Sequence, residues 1–317
     1  MPLSSFTKKN LICPVCQSEL LHTKNLFKCS NSKCSKDFPV IKNIPILINE
    51  SNSIFSIKDY INLRNRVGDN RKGIFKKIIS SLIPSISNNV AASKNYKKFL
   101  ELITSNTHDV KILVIGGGYL GNGMDLLTKN QTIELIEGDV THGPRTNLIF
   151  DGHDIPFRNN SFDGVIIQAV IEHVIDPYRC VAEIYRVLKN DAFVYSETPF
   201  MQQVHMGKFD FTRFTLLGHR RLFRNFEEIK SGIVCGPGMA LAWSYRYFLL
   251  SFFKSNILRK LVIVFTAFTA FYFKYFDIFL VEKKGSFDAA SGYFFLGKKS
   301  KEILSDKDLI KQYKGFF

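Results

Sequence analysis

The chain has 317 residues, of which 45% are hydrophobic and 22% are charged. These fractions are typical of a globular protein with about two domains, and they exclude an intrinsically disordered chain. The formal net charge of +15 favours an acidic partner, namely a phosphorylated substrate, an anionic membrane surface or a nucleic acid; a basic surface that is only solvated explains the same charge.

Four cysteines lie close together near the N-terminus, at Cys13, Cys16, Cys29 and Cys34. The apolar run before them is two residues long, so we expect no signal peptide and a cytoplasmic protein with reduced thiols. A Cys-Pro-Val-Cys turn presents two sulfurs to one ion, and four sulfurs complete the tetrahedron of a structural zinc site. The alternatives are four unrelated thiols, or a site that also uses His22.

The residues around the cysteines predict short strands, with a hairpin turn at "TKN" and a strand–turn–strand unit in "FPVIKNIPILI". The stretch "LICPVCQSEL…FKCSNSKCSKDFPVIKNIPILI" resembles the small zinc-ribbon proteins that activate tRNA and translation-factor methyltransferases, over residues 8–50. The resemblance implies a methyltransferase nearby. Residues 51–106 then predict a connector with two or three helices, one of them in "GIFKKIISSLI".

A buried strand of a parallel sheet is predicted at Val110 to Ile115, and Gly116, Gly117 and Gly118 follow it at once. The spacing of the apolar residues in "MDLLTKN" then predicts a helix. A glycine loop of this kind is a dinucleotide fingerprint, a phosphate cradle or only a tight turn. A P-loop is excluded, because no Lys-Ser/Thr pair ends it.

The next strands of the predicted sheet end in polar side chains. "TIELIEGDV" ends at Asp139, our choice for holding a ribose diol, with Glu137 second and a simple turn as the alternative. "TNLIF" is a third strand, and the loop that leaves it carries Asp154. "GVIIQAVIEHV" is a fourth strand leading into Glu172 and His173. An amphipathic helix in "DPYRCVAEIYRVLKN" precedes a fifth strand in "DAFVYSETPF".

This succession resembles the type 11-like, class I S-adenosylmethionine-dependent methyltransferases, over residues 108–240. The resemblance implies an α/β, Rossmann-like, doubly wound sheet of seven strands. It also implies contacts of the glycines with the methionine portion, of Asp139 with the ribose, of Asp154 and Ile155 with adenine, and of Gln168 with the sulfonium. Val114 departs from the family, whose members commonly carry an acidic residue at that place.

The segment after the fifth strand, "TPFMQQVHMGKFDFTRFT", is predicted to line the acceptor pocket. "H…DFTRFT" resembles a segment that recurs in family members with the same zinc-ribbon extension. We assign catalytic roles to His173, His205 and Asp210, and substrate binding to Glu172 and Arg213. Either histidine is a candidate general base, and the alternative for each is a structural histidine. Arg220 and Arg221 are further candidates for binding an anion.

The last third of the chain is rich in aromatic residues, from Trp243 to Val281. Its longest uncharged run, Leu261 to Phe273, is 13 residues and too short to span a membrane. Three interpretations stay open for residues 244–281: a helix on an anionic membrane surface, a buried lid or dimerisation helix, and a true span. A closing strand is predicted from Gly292 to Gly297.

The sequence therefore predicts an S-adenosylmethionine-dependent methyltransferase with a structural zinc ion, cytoplasmic or peripheral on the inner face of the membrane. The predicted acceptor is an oxygen of an anionic or lipid-linked small molecule, such as a saccharide or cell-envelope precursor. The alternatives are a tRNA or protein methyltransferase, a non-catalytic scaffold and an NAD-dependent dehydrogenase; a homodimer is also considered. The predicted domains are 1–50 (zinc ribbon), 51–106 (connector), 107–240 (cofactor-binding core) and 241–317 (aromatic insertion and closing strand).

Overall fold

The computed structural model of the protein describes residues 3–23, 25–62, 82–105 and 109–316. The middle residue of the predicted "TKN" turn and residues 73–81 of the predicted helical stretch lie outside these ranges. The strands are β1 (Leu20–Thr23), β2 (Leu26–Cys29), β3 (Asp37–Ile41), β4 (Ile44–Leu47), β5 (Val110–Ile115), β6 (Ile133–Asp139), β7 (Leu148–Phe150), β8 (Phe162–Gln168), β9 (Leu188–Pro199), β10 (Phe226–Cys235) and β11 (Gly292–Lys299).

The helices are α1 (Ser5–Asn10), α2 (Ile57–Asn62), α3 (Ala92–Thr104), α4 (Asp125–Thr128), α5 (Pro177–Val187), α6 (Leu216–Leu222), α7 (Pro237–Leu250), α8 (Asn256–Ala270), α9 (Phe273–Leu280) and α10 (Asp306–Ile310). The predicted helix after the glycine turn is only the single turn α4. The Asn130 side chain accepts the Thr132 N–H at 2.9 Å and turns the chain into β6.

Seven strands form the central sheet, in the order β7-β6-β5-β8-β9-β11-β10. Neighbours from β7 to β9 are parallel, and β11 is antiparallel to both β9 and β10. The predicted doubly wound α/β sheet is confirmed. The order reverses between β5 and β8, and ligands of open α/β sheets bind at the carboxyl ends of the strands beside such a reversal.

The N-terminal strands extend this sheet to eleven. β4 runs parallel to β7, with Ile46 opposite Ile149 and Leu47 opposite Phe150. Helix α1 lies against the same core, since Phe6 contacts Phe162 edge to face at 5.8 Å. Residues 140–147, all described, connect β6 to β7 by bends and turns instead of a helix.

One hydrophobic core joins the N-terminal strands to the central sheet. Phe27 and Phe38 from the ribbon are buried in the same cluster as Leu113 and Phe150. Burial of a large aromatic side chain removes roughly 150 to 250 Å² from water, which makes such residues dominant in a core. The ribbon and the sheet are therefore packed as one body.

Helices α7, α8 and α9 lie between β10 and β11, which confirms the predicted helical insertion before the last strand. Asp277 of α9 is buried, and its carboxylate accepts the N–H groups of Gly238 (2.7 Å) and Met239 (3.0 Å) at the start of α7. Within the described ranges, no single helix is long and apolar enough to cross a bilayer. Helices α8 and α9, which meet at a bend of 45°, reach the required length and apolar composition only when they are taken together.

Candidate functional site

The glycine turn follows β5 at the point where the strand order reverses. Gly116 has φ +77°, a left-handed conformation that favours glycine. The N–H groups of Gly116 and Gly117 both donate to the Gly138 carbonyl at the end of β6, at 2.9 and 3.0 Å. A Cβ on Gly116 would lie 2.2 Å from Val170, so a larger residue cannot replace it without moving the segment after β8.

Asp139 ends β6 beside this turn, as the sequence predicts. Its carboxylate accepts the Gly118 N–H at 3.0 Å and the Thr141 N–H at 2.8 Å. Glu137, the second candidate, is buried and paired with Arg145 at 2.6 Å; burial raises the pKa of Glu137. Asp139 is thus the strand-end carboxylate next to the glycine turn.

Asp154 lies in the loop after β7, with protein partners that the sequence did not indicate. Its carboxylate pairs with Arg179 of α5 and accepts from the Asn49 side chain at 3.1 Å. Ile155 is buried in the core, and its N–H donates to Glu183 at 2.9 Å. The adenine contacts assigned to Asp154 and Ile155 stay predictions.

Gln168 ends β8 and contacts a buried carboxylate that sequence reasoning missed, Glu197 of β9. The Gln168 amide donates to Glu197 at 2.8 Å and accepts from Tyr96 at 3.2 Å. Glu197 also accepts from Asn89 at 2.8 Å and Tyr195 at 2.5 Å, and burial raises its pKa. The available signal in the sequence was a single charged residue in the otherwise uncharged stretch "FVYSETP".

Glu172 lies beyond the end of β8 and is 1% exposed. Neither carboxylate oxygen has a hydrogen-bond partner among the described residues. Two imidazole nitrogens lie near this carboxylate, His173 Nε2 at 3.6 Å and His205 Nε2 at 3.8 Å from Oε1. Burial raises the pKa of Glu172 to about 8. A buried, unpartnered carboxylate is costly, which marks a place where a ligand is expected to bind.

In both histidines the Nε2 atom faces Glu172, and the Nδ1 atom contacts another part of the chain. His173 Nδ1 donates to the Phe209 carbonyl at 2.7 Å, and His205 Nδ1 lies 3.4 Å from Asp210 Oδ2. Their rings meet edge to face at 4.9 Å. Burial lowers the pKa of His173, which favours the neutral imidazole.

Asp210 positions the loop that carries His205. It accepts the His205 N–H at 2.9 Å and pairs with the Arg213 guanidinium, whose hydrogen bond lowers the pKa of Asp210. Arg213 also donates to the Gln202 carbonyl at 2.9 Å. The structure therefore brings together all five residues assigned to the acceptor side, with Arg213 holding Asp210.

Arg220 and Arg221 do not join this cluster. Arg220 pairs with Glu228 at 3.1 Å, and Arg221 lies 3.5 Å from Asp306. Arg220 also lines a cavity of about 950 Å³ at the opposite end of the central strands.

The four N-terminal cysteines converge as predicted. The Sγ atoms of Cys13 and Cys34 are 3.8 Å apart, those of Cys16 and Cys29 are 3.4 Å apart, and all four lie within 4.8 Å of one another. Four sulfurs around zinc at about 2.3 Å are separated by about 3.8 Å. The cluster therefore fits a tetrahedral zinc site; the resemblance to activator proteins stays a prediction.

The methyltransferase domain family matches residues 125–196, which include Asp139, Asp154, Gln168, Glu172 and His173. No curated protein matches the chain.

The chain is similar, at low sequence identity, to several solved structures. Phosphoethanolamine N-methyltransferase 2 of Haemonchus contortus, in complex with S-adenosyl-L-methionine, is 15% identical, with a TM-score of 0.42 over 81% of this chain and 62% of that chain. The [4+2]-cyclase SpnF is 15% identical, with a TM-score of 0.40 over 69% and 89%. The YcgJ protein of Bacillus subtilis is 13% identical, with a TM-score of 0.36 over 65% and 100%.

The strand order, with the glycine turn at the reversal, is that of a Rossmann-like α/β sheet. Together with the matched domain, it indicates an S-adenosylmethionine-dependent methyltransferase.

Proposed function

We propose that this enzyme methylates a hydroxyl or carboxyl oxygen of an anionic or lipid-linked small molecule, such as a saccharide or cell-envelope precursor. The observation that carries the proposal is the buried Glu172 carboxylate, which faces the Nε2 atoms of two histidines and accepts no hydrogen bond from the part of the chain that the structure describes.

The donor side of the site consists of the glycine turn, Asp139 and Gln168. S-adenosylmethionine supplies a methyl group on a sulfonium, which is already activated for transfer. The backbone at Gly116, Gly117 and Gly118 would hold the methionine portion, and the Asp139 carboxylate would accept the ribose hydroxyls. Asp154 and Ile155 would contact adenine. Gln168, fixed by Glu197, would lie beside the sulfonium.

The acceptor side adjoins the donor side, because Gly116 packs against Val170, two residues before Glu172. The imidazole of His173 or of His205 would take the proton of a hydroxyl acceptor, and Glu172 would orient that hydroxyl. Asp210 positions His205 through two contacts on its backbone and ring. A carboxylate acceptor is already deprotonated, so the site would only have to orient it.

A lipid-linked acceptor is supported by the surface beside this cluster. The loop that carries His205 is bonded to α7, through Gln203 to Ser244 at 3.1 Å and Tyr247 to the Val204 carbonyl at 3.0 Å. Large exposed apolar side chains on α7, α8 and α9 include Phe248, Ile257, Leu261, Phe268, Phe276 and Phe279. Lys254, Arg259 and Lys260 lie at the start of this helical pair, and such a surface suits anionic lipid.

We further propose that the cysteine cluster binds one structural zinc ion, since four protein sulfurs leave no position open for chemistry. Its place in the core shared with the central sheet makes its role the folding of the whole chain.

Two measurements test the proposed function. Calorimetric titration of the full chain with S-adenosylmethionine and S-adenosylhomocysteine should give binding that Asp139→Ala abolishes; a folded protein that binds neither would make the chain a scaffold. Transfer of a tritiated methyl group to lipid-linked saccharides, tRNA and protein should then label only the first. Labelled tRNA or protein would overturn the assigned acceptor.

The membrane part has its own test. Flotation with anionic vesicles should recover the wild type, and the double change Phe276→Ser and Phe279→Ser should prevent it. Ile303→Ser, at an exposed position outside the insertion, is the matched control. Equal flotation of all three proteins would exclude the insertion as the lipid-binding surface.

A further inference from the structure

Glu172, His173 and His205 form a second group of metal-type ligands, separate from the cysteines. One oxygen or nitrogen from each residue lies within 4.8 Å of the others. Two imidazoles and one carboxylate are a set that divalent transition metals use, and three protein ligands leave further positions open. From this arrangement we propose that the acceptor side of the site binds a divalent transition-metal ion through Glu172, His173 Nε2 and His205 Nε2.

The first support is the orientation of the two rings. A metal-binding histidine usually donates its other ring nitrogen to a carbonyl or a carboxylate, which fixes the tautomer and aims the lone pair. His173 Nδ1 is bonded to the Phe209 carbonyl, and His205 Nδ1 faces Asp210. Asp210 is itself held by Arg213. Both Nε2 atoms are therefore left for a ligand on the Glu172 side.

The second support is Glu172 itself. Its side chain is 1% exposed, and both oxygens lack a hydrogen-bond partner among the described residues. The two Nε2 atoms lie 3.6 and 3.8 Å from Oε1, too far for good hydrogen bonds. Ligands about 2.1 Å from a tetrahedral metal ion are separated by about 3.4 Å. The observed spacing thus needs only small movements to accept an ion.

The open side of such an ion would face the acceptor. The His205 side chain is 24% exposed and the His173 side chain 18%, while Glu172 forms the buried floor. An oxygen-bearing acceptor would complete the coordination and would be oriented by the ion. With both Nε2 atoms bound, the ion would take the place of an imidazole base: it would acidify the acceptor hydroxyl, whose proton would pass to solvent. This role rests on the proposed function, whereas metal binding itself does not.

The experiment adds Co²⁺ to the purified, zinc-loaded full chain. We expect a second equivalent of metal beside the zinc of the cysteine cluster, with visible d–d absorption and without thiolate-to-cobalt charge-transfer bands. His205→Gln and His173→Gln should each weaken this binding by more than about 100-fold, since even the loss of an outer partner costs 10- to 100-fold. His22→Gln, on an exposed ribbon strand, is the matched control and should keep the second equivalent.

Two outcomes would overturn the inference: a wild-type protein that binds no second equivalent, or a second equivalent that persists in both histidine variants. Circular dichroism of each variant shows whether it is folded, and His205→Gln alters a partly exposed loop residue and is expected to fold. A protein that binds S-adenosylmethionine but no second metal contradicts this inference alone. Two metals without S-adenosylmethionine binding would contradict the proposed function alone.

Discussion

His219 provides a direct test of how burial in this fold controls a titratable group. It lies on α6, 1% exposed, with Nε2 bonded to Ser196 Oγ at 2.9 Å. The rings of Phe223 and Phe295 pack around it, and the charged group beside it is Arg220. Burial, with a further contribution from Arg220, lowers the pKa of His219 to about 3. The residue is therefore neutral in the folded protein.

The sign of the pH effect follows from proton uptake. In the unfolded chain His219 is protonated below pH about 6.5, whereas in the folded protein it stays neutral down to pH about 3. The unfolded state binds more protons in this window, so the free energy of unfolding falls as the pH falls, by about 1.4 kcal/mol per unit. Between pH about 7.5 and pH about 5.0, His219 alone removes about 2 kcal/mol.

The measurement is urea unfolding of the wild type and His219→Gln at these two pH values. Glutamine keeps a polar atom for Ser196 but does not titrate. All other groups titrate alike in both proteins, so the wild type should lose about 2 kcal/mol more than the variant. His22→Gln, which removes an exposed histidine, should behave as the wild type. If the wild type and His219→Gln lost the same free energy of unfolding between the two pH values, a buried, neutral His219 would be refuted.

Three further changes have defined outcomes. Asp277→Ala should reduce the free energy of unfolding by about 3 kcal/mol, because two buried N–H groups at the start of α7 lose a charged acceptor. Asp277→Asn should reduce it by about half as much. Urea unfolding measures both changes. Gly116→Val should abolish S-adenosylmethionine binding in calorimetry, because its side chain would occupy the place of Val170. Removing zinc with a chelator should lower the melting temperature of the central sheet as well as that of the ribbon. Near- and far-ultraviolet circular dichroism measures the melting. Loss of the ribbon signals alone would show that the ribbon and the sheet do not unfold cooperatively.

The sequence predicts the features that depend on local pattern. Uninterrupted apolar runs predict β5 and β8. Asp139 ends β6 and Glu172 lies just beyond β8, and both are predicted near the site because parallel strands share one carboxyl edge. Cysteine spacing predicts the sulfur cluster. Each of these signals depends only on residues that are close together in the chain, so it can be read from a single sequence.

Other features depend on contacts between distant parts of the chain. The pairing of β4 with β7 and the contact of Phe6 with Phe162 have no local signature. The same holds for Asn49 and Arg179 as the partners of Asp154, since they come from the ribbon side and from α5. Buried polar pairs such as Gln168 with Glu197 are visible only once the strands are side by side.

The parallel pairing of β4 with β7 has a consequence for synthesis. Ile46 leaves the ribosome about 100 residues before its partner Ile149. At about 5 to 20 residues per second, the ribbon waits for roughly 5 to 20 s with the backbone of β4 unpaired on that side. An unpaired strand edge can join to another chain, so the nascent protein passes through a period of exposure to aggregation that ends when β7 emerges.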